Sequence, residues 1–146
     1  MPQNIGNLKK ENKQEGFWYS EDEPEYPFPK EHTGEWGKDE FLSALIALED
    51  KLMAEYAIMV KKYNEGGKYE ATNVESYRGS SECRICKCIN GSREFSYNNW
   101  KWPEGFRHYI IEHGIKPSDE FILMIRNEQI KTTTEQLKEI NKGETI

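Results

Sequence analysis

Apolar residues recur at three- and four-residue steps over residues 38–63 and predict one long amphipathic helix. Asp39 and Glu40 suit the positive end of the helix dipole, and the pair at 66–67, both glycine, ends the pattern. We expect the apolar stripe to face the core. Its members are Phe41, Leu45, Leu48, Leu52, Tyr56, Met59 and Tyr63.

Between residues 68 and 102 the pattern changes to a short alternation of polar and apolar residues, which predicts strands joined by tight turns. Asn90-Gly91 predicts one turn, and Asn98-Asn99, which tolerates left-handed backbone, predicts another. The segment is therefore interpreted as a small antiparallel β-hairpin or knuckle region.

The C-terminal part returns to helical spacing. One helix is predicted from Pro103 to His113, a second after Pro117, and a last short one that is capped at 133–134 and ends at Ile140. A long N-terminal helix, a small antiparallel sheet and two to three short C-terminal helices define an α+β fold.

The ends of the chain differ from its centre. Residues 1–16 are polar and predict a disordered tail, and residues 142–146 predict a frayed one. Residues 17–37, rich in proline, acids and aromatics, predict an extended arm lying on a single compact domain of residues 38–141. The alternative is that the arm is a docking strip for a partner.

The net charge of −6 is unevenly distributed along the 146 residues. Residues 1–60 hold 6 basic against 13 acidic side chains, whereas residues 78–116 hold 7 against 4. An acidic chain with a basic patch argues against bulk phosphate binding and leaves room for a small anionic partner. The candidate binding residues are Arg78, Arg84, Arg93 and Trp102 near the patch, with Trp18, Tyr26 and Phe28 on the arm.

All three cysteines lie close together, and two of them, Cys83 and Cys86, have the Cys-x-x-Cys spacing of a metal knuckle. His108 and His113 follow on a predicted helix, so the layout is that of a tetrahedral zinc site. Residues five apart do not share a face of a regular α-helix, so we expect the last turn before Gly114 to tighten. A four-ligand set would be closed and structural.

Other interpretations of this cluster remain open. Cys88 could replace one histidine, giving three thiolates and one imidazole. With three ligands only, a position would open and Glu112 or Glu104 could act as a general base. Without metal, the cysteines could be small buried hydrophobes, or a thiol could pair with His108 as a nucleophile.

The run from YRGSSECRIC through NGSREF to WPEGFRHYIIEHGIKPSDEF resembles a group of small, functionally uncharacterised bacterial and viral proteins. The likeness covers residues 18–125 and brings no mechanism. It implies a shared compact unit that contains Arg78, Arg84, Asn90, Gly91, Ser92, Glu94, Trp102, Pro103, Glu104, Gly105, His108, Tyr109 and His113.

These patterns favour a small zinc-stabilised, non-enzymatic binding or adaptor protein that acts through a protein partner. The alternatives are a nucleic-acid-binding zinc knuckle and a metal-assisted hydrolase with an open zinc position. The chain has no apolar run near the ~20 residues that a membrane span needs and no secretory leader pattern. We therefore expect a cytoplasmic protein with reduced thiols, located in the host cytoplasm if it is viral.

Overall fold

The computed structural model describes residues 13–144, and side chains through residue 140. Seven elements follow one another: β1 (Lys13–Gln14), α1 (Lys38–Asn64), β2 (Val74–Glu82), β3 (Ile89–Tyr97), β4 (Trp100–Pro103), α2 (Phe106–His113) and α3 (Asp119–Glu144). The strands form one sheet in the order β1-β4-β3-β2, antiparallel except for the parallel β1–β4 pair. The α+β class is thus confirmed. Over the described residues, no helix combines the length and the apolarity that crossing a bilayer requires.

Helix α1 confirms the predicted N-terminal helix to within one residue. Most of its apolar stripe, including Phe41, Leu45 and Leu52, is buried against the sheet and α3, but the stripe leaves the core at its end, where Tyr63 is 50% exposed. Glu65 ends the helix, where its amide donates to carbonyls of the last turn. Hydrophobic spacing was sufficient here because the helix buries a single face.

The hairpin turn lies elsewhere than predicted. Asn90 and Gly91 belong to β3, and the chain reverses through residues 83–88 instead. Backbone bonds close that turn, because the Cys83 amide donates to the Cys88 carbonyl and Lys87 donates back to Cys83. The second predicted turn is confirmed, since Asn98 and Asn99 join β3 to β4 with φ of 53° and 68°.

The C-terminal helices also depart from the prediction. Helix α2 begins at Phe106 because Pro103 still pairs with Glu94 in the sheet. The two later short helices are one continuous helix, α3, of 26 residues. No glycine or proline interrupts residues 119–142, so extending the helix is easier than stopping and nucleating again at the threonines.

Residues 13–14 and the arm contact the domain. Residues 13 and 14 pair with β4, so the predicted disordered tail does not reach them, and residues 1–12 lie outside the described part. The arm is extended as predicted, and Trp18 packs against the core. Its far end bonds to the C-terminus of α2, where the His32 amide donates to the Gly114 carbonyl. The frayed tail predicted over residues 142–146 is wrong for residues 142–144, which belong to α3, and residues 145–146 lie outside the described part.

One aromatic residue, Phe121 of α3, lies at the centre of the core. Its ring centroid is 5.2–6.0 Å from those of Phe41, Trp100, Trp102 and Phe106. Edge-on and tilted contacts of this kind add to the gain from apolar burial. Helix α1, the sheet, α2 and α3 therefore share one centre.

The buried carboxylate of Glu49 joins three elements beside this core. One oxygen accepts from Trp102 Nε1 at 2.8 Å, and the other accepts from Arg107 Nε and Nη2 at 3.1 and 2.7 Å. Burial raises the pKa of Glu49, while the bonds from Trp102 and Arg107 oppose that shift. The group therefore depends on its partners to remain charged inside the domain.

We predict that Glu49→Gln lowers the free energy of unfolding by about 3 kcal/mol, because it leaves the Arg107 guanidinium without its opposite charge. Asp50→Asn, on the exposed neighbouring residue, is the control and should change stability by less than ~0.5 kcal/mol. Chemical denaturation of both variants measures the difference. Equal losses in the two would contradict the structural role of the carboxylate.

Candidate metal centre and adjacent groove

The turn at 83–88 places the thiols of Cys83 and Cys86 within 4.8 Å of each other. Cys83 is buried, and its Sγ accepts from the amides of Ile85 at 3.4 Å and Cys86 at 3.5 Å. The thiolate is the form of cysteine that binds a metal. Lys87 completes the turn with φ of 66°, a left-handed conformation that is unusual for a lysine.

The end of α2 supplies the two histidines by a different route from the expected one. The amide of Gly114 donates to the carbonyl of Tyr109, five residues back, so the last turn widens rather than tightens. A bond of this length adds a residue to the last turn, which brings residues five apart closer to one face than a regular α-helix does. His113 therefore returns to the face of His108, with ring centroids 5.0 Å apart.

The predicted ligands converge. One donor atom each from Cys83, Cys86, His108 and His113 lies within 4.8 Å of all the others, so the set could hold a metal ion. Cys86 Sγ is 3.3 Å from His108 Nε2. Because the two pairs come from a turn and a helix more than 20 residues apart in sequence, only the tertiary structure could establish this proximity.

Cys88 stands beside the set without belonging to it. Its Sγ is 3.2 Å from that of Cys86 and 3.5 Å from His108 Nε2. Hydrogen bonding to Cys88, through its backbone first and its thiol second, lowers the pKa of Cys86 to about 5. The same thiol contact raises the pKa of Cys88. One exposed thiol is thus favoured as a thiolate and its neighbour as a thiol.

The chemistry of the donors fits a metal ion. Nε2 of His113 is buried and has no hydrogen-bond partner among the described residues, which is costly for a polar atom. Zinc binds a histidine nitrogen at ~2.0–2.1 Å, so an ion held by the four donors would give this nitrogen the partner that it lacks.

Tyr109 links the turn, α2 and the arm. Its hydroxyl oxygen accepts from the Arg84 amide at 2.7 Å, and Trp18 packs edge-on against its ring at 5.8 Å. Arg84 Nε in turn donates to the Tyr19 carbonyl at 2.9 Å. Burial raises the pKa of Tyr109 to about 12, so the hydroxyl stays protonated near neutral pH. Sequence spacing gave no signal for this role.

A groove of about 470 Å³ lies beside the cluster, between the arm and the hairpin. One wall is an irregular part of β2, where Ser76 pairs with Arg93 but Ser81 already pairs with Gly91. The intervening residues of β2 therefore bow away from β3 as a bulge. The opposite wall is the arm, with Phe17 and Trp18 among its residues.

Three groove residues carry a buried polar atom that has no hydrogen-bond partner within the described chain. They are Trp18 with Nε1, Asn90 with Oδ1 and Arg93 with Nε. The remaining guanidinium of Arg93 is held by Glu104, whose carboxylate also accepts from the Ser92 amide at 3.0 Å. Three unsatisfied polar atoms, two donors and one acceptor, thus belong to residues that line the groove.

The predicted binding residues fall into four groups. Trp18, Arg84 and Arg93 line the groove, whereas Arg78 is exposed on β2 outside it. Trp102 is fully buried and bonded to Glu49, so its prediction as a binding residue is corrected. The last two lie on the arm: Tyr26 donates to Gln14, and Phe28 stacks on Tyr19 with 61% of its surface exposed.

Comparison of the chain with protein-family models, curated proteins and solved structures finds no match. The resemblance drawn from its sequence motifs therefore stays a prediction, and the geometry of the site alone supports a function.

We predict that Lys87→Gly raises the free energy of unfolding by up to ~1 kcal/mol, because glycine adopts the left-handed conformation without steric cost. Lys87→Val should lower it, since a β-branched residue is strained at this φ. Lys51→Gly, in the middle of α1, is the control and should lose ~1 kcal/mol. Denaturation at matched metal content measures all three, and a loss in Lys87→Gly would contradict the turn geometry.

Proposed function

We propose that the protein is a zinc-stabilised, non-enzymatic binding protein that receives an extended segment of a protein partner in the groove beside the zinc centre. The convergence of Cys83, Cys86, His108 and His113 carries this proposal. Two thiolates and two imidazoles are a donor set typical of structural zinc. Two thiolates would also neutralise the ion, which suits the burial of Cys83.

A zinc ion at this centre would join the 83–88 turn to α2. Besides being one of the donors, Cys83 packs with Tyr109 and Ile115 in a small cluster between the turn and α2. A structural zinc contributes ~10–16 kcal/mol of apparent binding energy to folding in small modules. Fixing the turn against α2 would also fix Arg84 and Tyr109, and with them one end of the groove.

A protein segment suits the groove better than a nucleic acid does. Its charged lining holds more acids than bases: Asp22, Glu23, Glu82 and Glu94 against Arg84 and Arg93. A phosphate backbone would be repelled by that balance, whereas an extended peptide supplies both amide donors and carbonyl acceptors. The hydrolase alternative is disfavoured because it needs an open zinc position, and the donor set is complete without one.

The zinc centre is tested by elemental analysis of protein produced with zinc in the medium. We expect one equivalent of zinc in the wild type and in Cys88→Ser, and loss of zinc and of stability in Cys83→Ser and His108→Ala. Cobalt substitution adds a check on the ligands, because the thiolate charge-transfer band should be equally intense in the wild type and Cys88→Ser. A wild type without zinc would contradict the proposal.

The groove is tested with zinc-loaded protein and a displayed library of random linear peptides. Peptides selected on the wild type should bind Arg93→Ala about 10-fold more weakly, because a charged donor inside the groove is lost. Arg78→Ala, on the same bulge but outside the groove, should bind them unchanged. Failure to select any peptide, or equal binding by both variants, would contradict the groove while leaving the zinc centre untouched.

A further inference from the structure

Helix α3 carries apolar residues on two opposite faces. Phe121, Met124 and Ile125 are buried in the core, whereas Leu123, Ile130 and Leu137 are 54–62% exposed. At ~100° per residue, Ile130 lies about 180° from Phe121, with Leu123 and Leu137 within about 20° of it. The exposed residues therefore form a second apolar stripe, here called the outer stripe, directed away from the domain.

The second half of α3 extends beyond the domain. The Tyr97 hydroxyl donates to Glu128, and beyond this bond residues 129–140 are exposed except for the half-buried Thr132. This half continues for about 20 Å at 1.5 Å per residue. Because so little of it is buried, core packing stabilises this half weakly, and a partner along the outer stripe would stabilise it further.

We propose that the outer stripe pairs with that of a second copy of this chain, as an antiparallel helix pair centred on Ile130. Leu123, Ile130 and Leu137 recur at seven residues, the spacing of one of the two seam positions of a coiled coil, so the pair would be held by three apolar layers. The order leucine, isoleucine, leucine reads the same in both directions. An antiparallel pair thus places each Leu123 against Leu137 of the partner copy and Ile130 against itself.

Charge favours this partner and this orientation. Residues 126–144 hold four basic and four acidic side chains, so this part of the helix is neutral although the chain carries −6. Beside the stripe, Arg126 would face Thr134 of the other copy and Asn127 would face Thr133, so no like charges meet. An antiparallel pair also keeps the two acidic domains at opposite ends, whereas a parallel pair would bring them together.

Sedimentation velocity of the zinc-loaded full chain over a range of concentrations tests the pairing. We expect a reversible dimer whose dissociation constant rises at least about 100-fold in Ile130→Glu, because two carboxylates would meet at its centre. Ile58→Glu, on α1 with a similar exposure of 57%, should dimerise like the wild type. A wild type that is monomeric at every concentration, or an equal loss in both variants, overturns the proposal.

Orientation is tested by the double variant Leu123→Lys with Leu137→Glu. In the antiparallel pair each lysine faces a glutamate, so dimerisation should be retained, and it should weaken as salt is raised. Either single variant should dissociate, and in a parallel pair the double variant would also dissociate because like charges would meet. Loss of the dimer in the double variant therefore overturns the antiparallel arrangement. This pairing is independent of the zinc centre and the groove.

Discussion

The arrangement of the 83–88 turn, the end of α2 and the groove beside them depends on the short distances between four donor atoms. Two thiols and two imidazoles share a space within which no two donor atoms are more than 4.8 Å apart, and one imidazole nitrogen is buried without a partner. Deprotonated thiols held this close repel each other, and an orphan nitrogen is costly to bury. A cation bound by all four donors would remove both penalties. The position of the 83–88 turn would then depend on that ion.

Helix α2 transmits the order of the core to this cluster. Its successive residues Arg107 and His108 have different partners. Arg107 donates to buried Glu49 of α1, and His108 contacts the cysteines. Phe106 and Ile110 of the same helix are buried in the main core. The helix is therefore fixed from the side of the core by packing and a charge pair, and from the other side by the donor set. The shape of the groove depends on the position of α2, because Tyr109 of this helix and the arm that packs on it both line the groove.

Some predictions succeeded because the signal was local. The stripe of α1 and the left-handed turn at Asn98 and Asn99 follow from spacing and backbone preference within a few residues. The turn expected at Asn90 and Gly91 failed because the pairing of β2 with β3 places both residues in a strand and leaves the reversal to the cysteine turn. The break expected within α3 failed because no glycine or proline interrupts residues 119–142, so extending the helix is easier than stopping and nucleating again.

Residue chemistry and short-range periodicity were sufficient to predict the types of donor atom, the α+β class and the long first helix. Only the tertiary structure decided that His113 shares a face with His108, because a widened last turn at Gly114 rotates it there. It also decided that Trp102 is a core residue rather than a contact residue, and that Trp18 and Arg93, 75 positions apart, line one groove. Contacts between distant segments depend on how packed elements meet, and no short window of sequence contains that information.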